Sequence, residues 1–162
     1  MMNKRDQFEK EAASKVLSHW NVTAPEDRMA HLIKDLSKAF LRDLQIRLNE
    51  FDVQLGHWIY LRILWKKEGL TKRELSVEAG VMEPTAYVAL KAMEQAGLIY
   101  FEKKDDNKKN IYVFLTEKGQ ALEEKLVPLA VQVNEVAANG ISEEEWVITR
   151  TILLKMLVNL ST

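Results

Sequence analysis

The sequence predicts a mainly α-helical protein with one small β-hairpin near its middle. Apolar residues recur at three- and four-residue intervals along most of the chain, which is the period of an α-helix with one buried face. Gly69, Gly80 and Gly97 follow three such segments in succession, where helices usually end. Between residues 98 and 115 the pattern changes to β-branched and aromatic residues around a polar stretch, as in a hairpin.

Composition limits the kinds of function that the chain can have. Its 162 residues are 47% hydrophobic with a formal net charge of −1, which is ordinary for a folded helical protein. Without cysteine there is no disulfide, thiolate metal site or cysteine nucleophile. No apolar run approaches the ~18 residues of a membrane-spanning helix. The first residues also lack the apolar region of a signal peptide, so we expect no membrane partner and a cytoplasmic protein.

Three helices are predicted before Gly69. A short amphipathic helix occupies residues 5–18, and Trp20 follows it. Thr23 and Glu26 have the spacing of a capping box and open a helix that runs to about residue 49. A third helix spans residues 53–67. The apolar stripe of the second helix consists of Met29, Leu32, Ile33, Leu36, Phe40 and Leu44.

The central segment has the order short helix, turn, helix, hairpin. Thr71 and Glu74 form another capping box that opens a helix ending at Gly80, and a helix over residues 83–97 follows. Strands at residues 98–101 and 111–115 then enclose the polar residues 103–110. This is the winged helix-turn-helix arrangement, in which the second helix enters the major groove of DNA.

The predicted recognition helix, residues 83–97, has a buried face and a free face. Ala86, Leu90 and Met93 fall on one side, whereas the other side offers a hydroxyl, an apolar patch and a cation that suit base edges. Lysines at the hairpin tip suit phosphates. A merely solvated face and an ordinary turn are the alternatives. The candidate DNA-binding residues are Thr71, Lys72, Arg73, Pro84, Thr85, Tyr87, Val88, Lys91, Lys103, Lys104, Asn107, Lys108 and Lys109.

Four short stretches carry a family resemblance. They are residues 69–75 (GLTKREL), 80–81 (GV), 92–98 (AMEQAGL) and 115–119 (LTEKG). In this order and spacing they resemble the multiple antibiotic resistance regulator (MarR) family, and the flanking helices fit its plan over about residues 25–160. The resemblance implies a homodimer on a palindromic operator, and often a small aromatic ligand that releases the DNA. The overall pattern is most similar to members that control catabolism of aromatic acids such as hydroxycinnamates.

The sequence departs from the family pattern at the wing and on the recognition helix. Where many members have Asp-Arg-Arg, this chain has Asn107, Lys108 and Lys109. Lysine contacts phosphate but lacks the planar fork of arginine, which puts base reading by the wing in doubt. Pro84 and Val88 stand where serine and arginine are frequent, so the operator preference is expected to differ.

The C-terminal region is expected to form a dimer. A helical seam follows Thr116 and ends near Gly140, and Ser142 then caps a last helix that is apolar around much of its circumference. Such a helix needs a partner, either a second copy or an intrachain bundle. The expected domains are N-terminal helices for dimerisation and a pocket wall at residues 1–50, the winged helix-turn-helix at 51–116, and C-terminal dimerisation helices at 117–162.

A ligand site for a small aromatic carboxylate is a further expectation. Arg47 and Arg62 fall on otherwise apolar helix faces, where a guanidinium needs a partner such as a carboxylate. Trp20, Trp58 and Trp65 could wall an aromatic ring. The alternative is that the tryptophans belong to the core and that the arginines pair with acids such as Asp43 or Asp52.

Other classes of function remain as rivals. No phosphate-binding loop, metal-spaced ligand cluster or nucleophile motif is present, so we expect neither an enzyme nor a metal or cofactor site. A winged-helix adaptor that binds proteins is the main alternative, since the near-neutral net charge permits it. A constitutive DNA binder without a ligand is another alternative.

Overall fold

The computed structural model describes residues 7, 8, 11, 29–104 and 107–161, and it divides the chain into two compact units. The first unit is residues 1–39, of which the described part is helical. Met29, Leu32, Ile33 and Leu36, the first part of the predicted apolar stripe, are exposed there. Most of the predicted helix at 5–18, the cap at Thr23 and Trp20 lie outside the described residues.

The second unit, residues 40–162, contains the main core. Helix α1 (Met29–Leu48) is followed along the chain by a short 3-10 helix (Asn49–Phe51) and by α2 (Leu55–Lys66). Leu48, Leu61 and Leu64 are fully buried in this core. The amide side chain of Gln45 ties the turn together, since it donates to the Val53 carbonyl and accepts from the Leu55 N–H.

The helix-turn-helix consists of α3 (Lys72–Glu78) and α4 (Glu83–Gln95). The predicted capping box is confirmed, because Thr71 Oγ1 accepts from the Glu74 N–H while the Glu74 carboxylate accepts from the Thr71 N–H. Gly80 ends the first helix with a φ of 65°, a left-handed conformation that glycine adopts without strain. Leu75, Leu90 and Met93 are fully buried, so the two helices share one core.

The wing is larger than the sequence predicted. Strands β2 (Ile99–Lys104) and β3 (Asn107–Leu115) extend into the polar stretch that was expected to be the hairpin tip. A third strand, β1 (Leu70–Thr71), pairs with β3 and gives the antiparallel order β1-β3-β2. The strands were predicted too short because residues 102–110 are polar throughout and so lack the apolar alternation that marks a half-buried strand.

The C-terminal region contains α5 (Glu117–Ala121), α6 (Glu123–Ala137) and α7 (Glu143–Leu160). The single helix expected after Thr116 is therefore two helices that meet at Leu122. The predicted cap of α7 is confirmed, with Ser142 and Glu145 forming a capping box. In the part of the chain that the structure describes, no helix has both the length and the apolar character needed to cross a bilayer.

The junction between α4 and α5 is tightly packed. The Thr116 hydroxyl donates to the Gly97 carbonyl at 2.6 Å, and Lys118 Nζ donates to the Ala96 carbonyl at 2.9 Å. These bonds satisfy carbonyls at the end of α4, which helix geometry leaves without partners. At Gly119 an added Cβ would meet the backbone carbonyl oxygen of Leu98.

We therefore expect Gly119→Ala to destabilise the fold by about 1–3 kcal/mol, the usual cost of overpacking, because the obstacle is backbone and cannot rotate away. Thermal and urea unfolding would measure the loss. The matched control is Gly56→Ala in α2, where an added Cβ meets nothing within 4 Å. That variant should leave stability unchanged or raise it by up to about 1 kcal/mol. Equal stability of the two variants would contradict the packing argument.

Candidate nucleic-acid interface

Helix α4 presents the predicted free face to solvent. Its buried side chains are Ala86, Leu90 and Met93, as the periodicity indicated. Tyr87 and Val88 are 47% and 69% exposed on the opposite side. Pro84 and Thr85 are exposed at the start of the helix. The side chain of the N-cap residue, Met82, makes no capping bond to the first turn of the helix.

The start of α3 places two cations near α4. Thr71 is committed to its capping box, which lowers the pKa of Glu74 because the carboxylate accepts bonds from the Thr71 backbone and hydroxyl. Arg73 is largely exposed and lies 3.7 Å from Glu83, the first residue of α4. Lys72 is half-buried and faces the wing.

Two lysines and two aromatic rings form one cluster at the junction of α3, α4 and β2. Lys72 Nζ lies 4.6 Å from the ring centroid of Tyr87 and 4.5 Å from that of Phe101. Lys91 Nζ lies 5.1 Å from the centroid of Phe101 and 2.8 Å from Glu94 Oε2. Lys72, Tyr87, Lys91 and Phe101 are called the cation–aromatic cluster below.

The electrostatics of the cluster differ between its two lysines. Burial lowers the pKa of Lys72, and the neighbouring charge of Lys91 lowers it further, while Glu94 acts in the opposite sense. The hydrogen bond to Glu94 raises the pKa of Lys91. Lys91 thus has an anionic partner in Glu94, whereas the charge of Lys72 faces two aromatic rings.

The wing contributes Lys103, which is exposed on β2 and pairs in register with Ile111. Lys104, Asn107, Lys108 and Lys109 belong to the strand backbone, and their side chains lie outside the described residues. Of the wing candidates, the structure therefore places only the Lys103 side chain.

The predicted ligand residues lie in different surroundings. Trp58 is buried, and its ring meets that of Trp65 edge to face at 5.8 Å. The indole N–H of Trp65 donates to the Gly119 carbonyl at 3.0 Å. The guanidinium of Arg62 lies 5.7 Å from the Trp58 ring. These three residues are neighbours, and the two tryptophans pack with the core.

The two predicted ligand arginines, Arg62 and Arg47, line two different open clefts. The first, of about 350 Å³, is formed by the second half of α2 with β1 and the end of α3. Its apolar lining is Ile59, Ile63 and Leu70, and its charged lining is Arg62, Lys66, Lys67 and Glu78. Arg47 belongs to a second cleft, beside Gln132 on α6, and pairs with Asp43 at 3.1 Å. Arg47 and Arg62 thus do not line one cleft, and Trp20 lies outside the described residues.

Sequence reasoning missed Phe101, Glu83 and Glu94. Phe101 reads as an ordinary strand residue, and nothing in the sequence links it to Lys72 on another element. The Lys91–Glu94 pair could have been found, because oppositely charged residues three apart are neighbours on a helix. Among the described residues, no three His, Asp or Glu side chains come together in a way that could hold a metal ion.

Fold and site geometry define a winged helix-turn-helix protein, with an exposed recognition helix between cationic elements. Residues 53–111 match the MarR family. The HTH-type transcriptional regulator Hpr of Bacillus cytotoxicus is 34% identical over 114 residues, which is 70% of this chain and 61% of Hpr. The chain thus spans less than two thirds of the length of this relative.

Solved structures give the same result for the fold. The transcriptional regulator SlyA is similar with a TM-score of 0.74 and 27% identity, over 83% of this chain and 94% of that one. A MarR family regulator from Listeria monocytogenes, solved with a 26mer DNA, has a TM-score of 0.72 and 28% identity. The similarity covers 83% of this chain and 89% of that one. Over residues 53–111 this chain therefore resembles the MarR family, and the relatives and solved structures that it matches are transcription regulators.

Proposed function

We propose that the protein is a sequence-specific DNA-binding transcription regulator, a repressor that binds a palindromic operator in the cytoplasm. The observation that carries this proposal is the exposed face of α4, with Tyr87 and Val88 open to solvent and the opposite face fully buried. An apolar and hydroxyl-bearing face suits base edges and thymine methyls. The Listeria monocytogenes regulator, which is similar over most of both chains, was solved with DNA.

The charge distribution is compatible with this role despite a net charge of −1. Affinity for DNA depends on local cations that displace counterions from phosphates. Lys72, Arg73 and Lys91 lie around α4, and Lys103 extends the set onto the wing. Phosphate contacts from these residues would fix the position of α4, while its free face reads sequence.

The test is fluorescence anisotropy with labelled DNA from upstream of its own gene, at several salt concentrations. We expect tight binding that weakens steeply with salt. Lys103→Gln should weaken binding to all sequences and reduce the salt slope by about 0.9, the value for one lost phosphate contact. Val88→Ala should instead reduce the preference for the operator over random DNA and leave the slope unchanged.

Lys125→Gln is the matched control for charge, because Lys125 is an exposed lysine of α6, outside the winged-helix domain. It should leave affinity and slope unchanged. Absence of binding by the wild type even at low salt would refute the regulator and favour a winged-helix adaptor that binds proteins.

We further propose a homodimer formed by the N- and C-terminal helices, residues 1–50 and 117–162, which leaves residues 51–116 to bind DNA. Helix α7 has no buried residue in the single chain. Its exposed apolar residues are Val147, Ile148, Ile152, Leu154, Leu157, Val158 and Leu160. A surface of this kind requires a covering partner. Two copies would present two recognition helices to the halves of a palindromic site, about 34 Å apart.

Sedimentation should give twice the 18.7 kDa of one chain for the wild type. Leu157→Glu should give the monomer and abolish tight operator binding, because a charge would be buried in the interface. The control Val77→Glu changes an exposed aliphatic residue of α3 and should remain dimeric. A monomeric wild type, or a dimer unaffected by Leu157→Glu, would refute this interface.

An aromatic carboxylate is our proposed effector, as for regulators of aromatic-acid catabolism. The cleft beside α2 supports this, since its volume of about 350 Å³ suits a small ligand. It combines an apolar wall with Arg62, Lys66 and Lys67, a set that suits an anion with an apolar body. A ligand here would contact α2 and the end of α3, whose packing supports α4.

A panel of aromatic carboxylates added to the anisotropy assay tests the effector. One compound should release the DNA and change the tryptophan fluorescence, because Arg62 lies over Trp58. Arg62→Gln should abolish this response and still bind DNA, whereas Arg47→Gln, in the other cleft, should keep the response. If no compound affects binding or fluorescence, the protein is a DNA binder without this kind of effector.

A further inference from the structure

The cation–aromatic cluster connects three elements of the proposed DNA interface. Lys72 is the first residue of α3, Tyr87 and Lys91 are one turn apart on α4, and Phe101 lies on β2. The Lys72 ammonium approaches two rings from two different elements, at 4.6 and 4.5 Å. The Phe101 ring serves both lysines, since Lys91 Nζ is 5.1 Å from its centroid.

Sheet register fixes the position of Phe101. Phe101 pairs with Val113 on β3, and Val113 pairs on its other side with Leu70, two residues before Lys72. Val113 is fully buried and Leu70 nearly so, which anchors this row in the core. Because the row is anchored, the ring occupies a defined place relative to the first residue of α3.

A fixed ring restricts two side chains that are otherwise flexible. A lysine has four rotatable bonds, and ordering its ammonium on a phosphate costs conformational entropy. A ring face attracts an ammonium and limits the orientations that it samples. Order that is already present in the free protein is not lost again on binding, so it raises affinity for DNA.

We propose that Phe101 is a positioning residue of the DNA interface, which acts through Lys72 and Lys91 by holding both ammonium groups beside α4 for contact with phosphates. This inference rests on the proposed DNA binding and adds the residue that organises its cations. Tyr87 has a related part, because the same Lys72 ammonium links its ring to the wing. The competing interpretation is that Phe101 only fills space between β2 and the core.

A double-mutant cycle separates the two interpretations. Phe101→Leu keeps an apolar side chain and removes the ring, and Phe101→Met serves in the same way if the first variant folds poorly. Each is combined with the wild-type lysines and with Lys72→Gln/Lys91→Gln. Affinity for operator DNA is measured by anisotropy, and thermal unfolding identifies variants that have lost their fold.

We expect loss of the ring to weaken DNA binding about five- to tenfold when both lysines are present, the size of a partly exposed cation–aromatic contact. In the Lys72→Gln/Lys91→Gln background the same change should cost less than about twofold, since the groups on which the ring acts are gone. Phe101→Trp should retain near wild-type affinity because it retains a ring face. Equal losses in both backgrounds would overturn the inference and identify a space-filling role.

Proton NMR of the Lys72 side chain gives a second readout that needs no DNA. Ring currents should shift its terminal methylene signals upfield, and Phe101→Leu should move them towards the values of a free lysine. Unshifted signals in the wild type would overturn the inference. Failure of the wild type to bind DNA at low salt would refute the proposed function itself, whereas binding with additive losses refutes only the role of Phe101.

Discussion

The junction between the end of α4 and the start of α5 is the constraint on which the wing and the recognition helix both depend. Leu98 stands at its centre, where its N–H donates to the Met93 carbonyl and its own carbonyl accepts from the Thr116 N–H. Gly119 packs so closely against that carbonyl that no side chain fits. The chain leaves α4, forms the hairpin and returns to the same point, so the base of the wing is bonded directly to the end of the helix that it flanks.

Much of the fold could be predicted because its signals are local. The faces of α4 follow from helical periodicity, and the capping boxes at Thr71 and Ser142 follow from residues three apart. The first strand, Leu70–Thr71, could not be predicted from its own two residues, because it exists only through pairing with β3. The outer parts of β2 and β3 were missed for a related reason, since their residues are polar throughout and lack the apolar alternation that identifies a strand.

The candidate site shows the same division between local and non-local information. Exposed positions on α4 follow from one helix, whereas the contact between Lys72 and Phe101 joins residues 29 positions apart through three-stranded pairing. The ligand residues were grouped by their chemistry and by their positions on apolar faces of separate helices, which does not show whether those faces meet. In the structure Arg47 bonds to Asp43 and Gln132, while Arg62 lies over the Trp58 ring and lines another cleft.

The two ion pairs of the proposed interface, Arg73–Glu83 and Lys91–Glu94, bear on how the protein would search a chromosome. Each of these two cations already lies beside a carboxylate. Contact with an arbitrary phosphate would replace that carboxylate as the partner of the cation, and it would bring the phosphate close to the negative charge of the carboxylate. This lowers the gain from sequence-independent contacts, which otherwise dominate binding to random DNA. Only a DNA site whose bases also make favourable contacts with the exposed face of α4 would offset the loss of these ion pairs. If the protein binds DNA as proposed, fewer copies would then be held on the far more numerous incorrect sites, and a smaller cellular pool would suffice to occupy the correct one.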